Sequence, residues 1–145
     1  MGKLSKVPIS PESIPQELRR AAEKGYNHLV TITCVDHGGD LELIYHLSSL
    51  DGRTLHLSAR LPPGSPKAPS ITSFMRAASF YEREVHDLFG VYFEGNEDMG
   101  KRFLLPDCYP SSMPPPLLKA ADPAHVREFL DAAKCEPVSY THLRA

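Results

Sequence analysis

The stretch DLELIYHLSSLDGRTLHLSARL, Asp40 to Leu61, decides the fold. Its first half alternates, with Leu41, Leu43, Tyr45 and Leu47 on one side and Glu42, His46 and Ser48 on the other. That is the period of a half-buried strand. Thr54 to Leu61 alternates as well, with Leu55, Leu57, Ala59 and Leu61 on one face. The turn between them sets the register. A two-residue loop at Asp51-Gly52 would bring Leu47 opposite His56 and mix the faces. A three-residue loop, Leu50-Asp51-Gly52, brings Leu47 opposite Leu55 and Leu43 opposite Ala59, and gives Gly52 the left-handed position such loops need. A slip of one residue would turn every apolar side chain to the wrong face, so the sequence predicts the three-residue loop.

The same register places Glu42 opposite Arg60, a favourable cross-strand pair. It also places His46 opposite His56. Two imidazoles could form a weak metal site. Without a third ligand, two solvated or interface histidines are the commoner outcome.

Upstream, His28 to Val35 is rich in Val, Ile and Thr and reads as a strand. Before it, Ile14 to Lys24 reads as a helix with Ile14, Leu18, Ala21 and Ala22 on one face, Ser13 and Gln16 as a capping box, and Gly25 as its stop. Downstream, LPPGSPKAP, Leu61 to Pro69, reads as a loop. Ser70 then caps one long amphipathic helix, or two short ones bent near Ala78, that end at Gly90; Ile71, Phe74, Met75, Ala78, Tyr81, Val85, Leu88 and Phe89 recur at steps of three and four. Short strands are predicted at Val91 to Phe93 and Phe103 to Leu105. Beyond Pro106 the chain is irregular, and Pro114 to Pro116 favour an extended polyproline conformation. Asp122 and Pro123 open a last helix with Val126, Phe129, Leu130 and Ala133 as its stripe. The predicted fold class is α+β: a two-layer sandwich, a mixed sheet with helices on one face, and an extended C-terminal tail. The predicted division is a domain over 10–106 and a proline-rich tail over 107–145.

Composition narrows the function. The chain has 145 residues and a net charge of −2, so no basic footprint points to nucleic acid. No apolar run is long enough to span a bilayer, and MGKLSKVPIS lacks the apolar core of a signal peptide. Cytoplasmic localisation follows as the expectation, with any membrane link made through partners. Cys34, Cys108 and Cys135 are widely spaced and form no C-x-x-C pair. Neither zinc nor an iron–sulfur cluster is signalled, and small buried or idle thiols are expected.

The segment FYEREVHDLFGVYFEG, Phe80 to Gly95, is the most informative for function. Helical spacing would let Arg83 pair with Asp87 and Glu82 face His86. A solvated helix face is one account of these charges. Two carboxylates beside a histidine could also do acid–base work. No nucleophile, phosphate loop or metal triad stands nearby, so a catalytic site finds little support.

E-R-E-x-x-D-L-F-G, then x-x-F-E-G and an F-L-L-P stretch, resembles the signature of the 30 kDa subunit family of respiratory complex I. Glu82, Arg83, Glu84, Asp87, Leu88, Phe89 and Gly90 match its core. Phe93, Glu94 and Gly95 match the next segment, and Arg102, Leu104, Leu105 and Pro106 the one after. Three positions depart: Asn96 where His or Lys is usual, one residue inserted around Gly100, and a late element only echoed by Pro116-Leu117-Leu118-Lys119. The shortened tail and the Asn96 loop resemble the compact versions in membrane-bound, energy-converting nickel-iron hydrogenases. The resemblance implies a hydrophilic subunit with no catalytic residue, cofactor or metal of its own. It would pack beside a large catalytic, 49 kDa-type subunit and an adjacent iron–sulfur subunit, on the inner face of the membrane. Iron–sulfur clusters, and nickel-iron in a hydrogenase, would be carried by those partners. The signature residues would form the interface, with Phe89 and Phe93 as anchors, or else an internal network that shapes the loop after Gly90. The competing class is a stand-alone α+β binding module with a proline-rich docking arm.

Overall fold

The computed structural model describes residues 5–131. The predicted hairpin is its centre. Strand β3, Leu41–Ser48, pairs antiparallel with β4, Thr54–Leu61, in the predicted register: Leu47 opposite Leu55, Leu43 opposite Ala59, Glu42 opposite Arg60 and His46 opposite His56. Ser49 N–H donates to the Arg53 carbonyl at 2.9 Å, which closes a three-residue loop, and Gly52 sits at φ +89°. Strand β2, His28–Asp36, pairs antiparallel on the other edge of β3. A short strand β1, Val7–Ile9, adds to β4 in parallel, so the four-stranded sheet is mixed, in the order β1-β4-β3-β2. Only three residues long and carrying Pro8, β1 is an edge strand without enough alternation to be visible beforehand.

One face of the sheet holds the core. Leu41, Leu43, Tyr45, Leu47, Leu57, Ala59 and Leu61 are buried there, with Leu55 packed at the margin. Helix α1, Ile14–Glu23, covers this face with Ile14, Leu18 and Ala21. The second covering helix is α2, Ala78–Phe89, through Ala78 and Val85. Fully buried leucines of this kind hold the layers together, and cutting one to alanine costs about 2–5 kcal/mol.

Several local expectations were wrong. Ser13 does not close a capping box; its hydroxyl donates to the Ser10 carbonyl at 2.8 Å. Residues 71–77 form turns and α2 starts at Ala78; the Ser70 hydroxyl accepts the Thr72 N–H at 3.1 Å, as a cap would, but also donates to Glu82, and only a single turn follows it. The stretch read as loop contains β5, Lys67–Pro69, which pairs in parallel with β6, Tyr92–Glu94. Helix α2 is therefore the crossover of a small β-α-β unit. Residues 103–105 are not a strand, since their N–H groups are held by a carboxylate. The last helix, α3, spans Pro123–Asp131 with Val126 buried; Ala133 of the predicted stripe and Cys135 lie outside the described residues.

The proline-rich segment is laid along its own domain. Leu117 N–H donates to the Leu88 carbonyl at 3.0 Å, filling an open acceptor at the end of α2. Lys119 N–H donates to Asp36 Oδ2 at 2.8 Å, and the Tyr109 hydroxyl donates to the Pro114 carbonyl at 2.8 Å. Gly90, at φ +82°, ends α2, and a Cβ there would come within 2.9 Å of Pro115. Both conformation and contact require glycine at this position.

On the outer face of the sheet, Glu42 does not pair with Arg60, which binds Asp40. Glu42 is buried and takes bonds from Lys6, His37 and Ser58 instead. Burial pushes its carboxyl up, but these donors outweigh burial and hold it at about 2. His46 and His56 meet at 2.8 Å between their Nδ1 atoms, and Thr33 Oγ1 holds His46 Nε2 at 2.9 Å. Partial burial, then His56, lowers the His46 pKa. A lowered folded-state value means that the unfolded chain takes up the proton first. Stability from this pair is thus full above about pH 6.5 and is lost as pH falls below it. The melting temperature should fall between about pH 7.5 and about pH 5.5, and less steeply in His56→Gln; an equal slope in the variant would refute the coupling.

Candidate functional site

The charged run on α2 resolves into three side chains that reach three different segments. Glu82 is fully buried and faces the turn before the helix and the loop after β6. Its carboxylate accepts from Ile71 N–H at 3.0 Å, the Ser70 hydroxyl at 2.8 Å and Asn96 Nδ2 at 3.0 Å. Burial raises its pKa, and these three donors only partly counter it. No cation pairs with it among the described residues.

Asp87, one turn and a half further on, faces the segment 102–105. Its Oδ2 accepts from the N–H groups of Phe103, Leu104 and Leu105 at 2.8, 2.8 and 3.1 Å. Arg102 Nη1 stands 3.5 Å from Oδ1, an oxygen with no hydrogen-bond donor of its own. Burial pushes this carboxyl up, yet the three N–H groups and Arg102 outweigh it and hold the pKa below the usual range. Three consecutive N–H groups on one oxygen make an anion nest, occupied here by the protein's own side chain.

Arg83 points between these two. Its Nη2 donates to the Arg102 carbonyl at 3.0 Å and its Nε to the Lys101 carbonyl at 3.4 Å. The guanidinium lies over the Phe103 ring, 5.1 Å from the centroid. So neither predicted helical pair forms. Asp87 is taken by main-chain N–H groups, Arg83 by carbonyls, and His86 meets the Val91 carbonyl at 2.8 Å rather than Glu82. The network is internal and shapes the loops after Gly90.

The other signature residues divide by depth. Phe93 is fully buried in the domain's own core, so it offers no anchor on the surface. Glu84, Leu88, Phe89 and Arg102 are half-buried and Glu94 is exposed. Gly95 sits at φ +101° beside Ser70, and the Pro106 carbonyl accepts the Tyr109 N–H at 2.9 Å. Ser70, Ile71 and Asn96 escaped the sequence reading as partners of Glu82. Asn96, noticed as a departure from the resembled family, was the one available signal, since a buried carboxamide there can donate to a carboxylate.

Both buried carboxylates are held by donors of their own domain. A half-open cavity of about 510 Å³ does lie where Phe89 and Gly90 meet the Gly38-Gly39 turn, Pro62 and the Pro115–Lys119 segment. Asp36 in its wall is held by main-chain N–H groups. Burial, then Asp36 and Glu42, pushes the Cys34 thiol up to about 12, which favours the thiol over the thiolate. Cys108 has an interaction partner and is not the idle thiol expected of it. Among the described residues no three His, Cys, Asp or Glu side chains are grouped as a metal site, and no helix is long and apolar enough to cross a membrane.

Residues 7–126 match the family described as "Respiratory-chain NADH dehydrogenase, 30 Kd subunit". The C subunit of the F(420)H(2) dehydrogenase of Methanosarcina mazei is 38% identical over 85 residues, 57% of this chain and 53% of that protein. The C/D subunit of the NADH-quinone oxidoreductase of Methylococcus capsulatus is 33% identical over 100 residues, 61% of this chain and 17% of that one. A chain in the structure of the membrane-bound sulfane sulfur reductase, "an archaeal respiratory membrane complex", superposes with a TM-score of 0.77 at 32% identity, covering 90% of this chain and 82% of its own. The chain spans about half the length of the first curated relatives it matches.

The two carboxylates should differ in their response to neutralisation. Asp87→Asn removes a favoured charge from three N–H groups and sets an amide against Arg102; roughly 2–3 kcal/mol of unfolding free energy should be lost. Glu82→Gln removes a charge that burial disfavours, and the Ser70 hydroxyl can turn to accept from the amide while Asn96 stays held by the Asp98 N–H, so the loss should stay below about 1 kcal/mol. Denaturant unfolding measures both, and equal losses would show that the two charges are not held differently.

Proposed function

The chain belongs to the respiratory-chain NADH dehydrogenase 30 kDa subunit family, and from that premise we propose that it is a subunit without an active site, which holds its neighbours in position in a complex I-like or related membrane-bound oxidoreductase. The proposed neighbours are a large catalytic, 49 kDa-type subunit and an adjacent iron–sulfur subunit. Electron transfer and any coupled ion movement would take place in the partners, which would carry the iron–sulfur clusters and, in a hydrogenase, nickel-iron. This chain would carry no cofactor and would meet the membrane only through the complex, on its cytoplasmic side.

The observation that carries this reading is the use made of the signature. Each of its buried charges is held by main-chain or side-chain groups of the same domain. A general acid or base needs a proton within reach of a substrate, and Glu82 and Asp87 face only their own loops. Such residues fix a shape, and a fixed shape suits a component whose task is to hold others in register. The Methylococcus capsulatus relative adds support, because its name joins a C-type and a D-type subunit.

Co-purification from membranes of the parent cell tests the proposal. A tagged chain should recover the large subunit and the iron–sulfur subunit in near-equal amounts, with the iron in the partners. The chain purified alone under anaerobic conditions should show no visible absorption band. Stoichiometric iron on the chain alone, or its recovery without partners from gently solubilised membranes, would sink it.

A further inference from the structure

We propose that Phe80, Phe103, Leu104 and Arg83 form the docking surface for the neighbouring large subunit, which meets it with an apolar side chain beside a carboxylate. This rests on the subunit role proposed above and adds the face and the chemistry of the contact.

Single exposed apolar side chains are ordinary on protein surfaces; a contiguous set is informative. Phe80 is 55% exposed, Phe103 41% and Leu104 53%. The rings of Phe80 and Phe103 lie 5.7 Å apart, and Arg83 covers the second ring. These residues come from separate segments: Phe80 and Arg83 one turn apart on α2, Phe103 and Leu104 on the loop that Asp87 holds. The Asp87 bonds go to the very N–H groups of Phe103 and Leu104, so the two exposed side chains stand on a fixed backbone. Ordering them costs little on association, which is the advantage of a preorganised surface.

The charge in this patch identifies what meets it. Lys101 is paired with Asp98 at 2.8 Å and Arg102 with Asp87 at 3.5 Å. Arg83 has no carboxylate partner among the described residues. Its Nε and Nη2 are bonded to carbonyls, while its Nη1 has no acceptor among those residues. An arginine stacked on an aromatic ring with one edge of its fork unused is the group that a carboxylate completes, and arginine with aromatic side chains is the composition of interface centres. Asp98 feels the Arg83 charge, but it is already held by Lys101.

The test uses the tagged chain in its native complex. Phe80→Asp and Leu104→Asp alter exposed positions and should leave the melting temperature near that of the wild type. Val30→Asp and Leu130→Asp, at half-exposed apolar positions elsewhere (each 46%), are the controls. The two patch variants should recover at least about tenfold less large subunit, identified by mass spectrometry, than the controls do. Arg83→Lys, which keeps the charge and loses the fork, should give a smaller loss that grows with salt. Recovery at wild-type level in both patch variants overturns the docking surface and leaves the subunit role standing. Equal losses in patch variants and controls overturn it too. A wild-type chain that recovers no large subunit overturns both proposals.

Discussion

Asp87 is the point on which the rest of this structure turns. It stands in the last turn of α2, where the helix dipole disfavours a negative charge, and it is almost wholly buried. Burial and dipole both act against the carboxylate. Three N–H groups on one oxygen, with Arg102 behind, reverse that balance. The consequence is local rigidity in a segment that has no ladder of its own. Residues 103–105 take their shape from a side chain on a neighbouring helix rather than from a strand partner.

Glu82 does the complementary work at the other end of the helix. It gathers the Ser70 hydroxyl, the Ile71 N–H and the Asn96 amide, and so ties the turn before α2 to the loop after β6. The β-α-β unit is thereby closed by a side-chain network as well as by the β5–β6 pairing. The two acids differ in electrostatics. Asp87 is more acidic than usual because its donors and Arg102 outweigh burial, whereas Glu82 is less acidic because burial prevails. Between them, Arg83 props the same loop from its carbonyl side and remains the cation without an acid among the described residues. A run of charges that looks at first like acid–base machinery is, in three dimensions, a set of struts.

The proline-rich segment follows the same logic. Its prolines cannot enter a ladder, so it borrows partners from the domain: the Leu88 carbonyl, the Asp36 carboxylate and the bare backbone of Gly90. A helix end that needs an N–H donor and a segment that needs acceptors satisfy one another. This contact also explains why α2 stops where it does, with no room for a side chain at position 90.

What could be read from the sequence was what depends on strand alternation and on the hairpin turn. The alternation of Leu41 to Leu47 and Leu55 to Leu61, with Gly52 in the loop, determined the hairpin and its register, because only one pairing keeps every apolar side chain on one face. The same pattern located the core and, with the helical stripes, the fold class. The signature around Glu82 to Gly95 determined the family. Tertiary structure alone decided what the charges do. Hydrogen bonds donated to Asp87 by residues 103–105, to Glu82 by Ile71 and Asn96, and to Glu42 by Lys6 join positions 11 to 36 residues apart. Helical spacing offered nearer partners for the α2 charges, and strand register offered one for Glu42. A buried carboxylate takes the donors that burial brings to it, and which donors those are is set by how the layers pack. The short strands β1 and β5 escaped for the same reason: so few residues carry no period, and only a neighbouring strand gives them their form, while at 71–77 a helical period was present and the side-chain bonds to Glu82 prevailed over it.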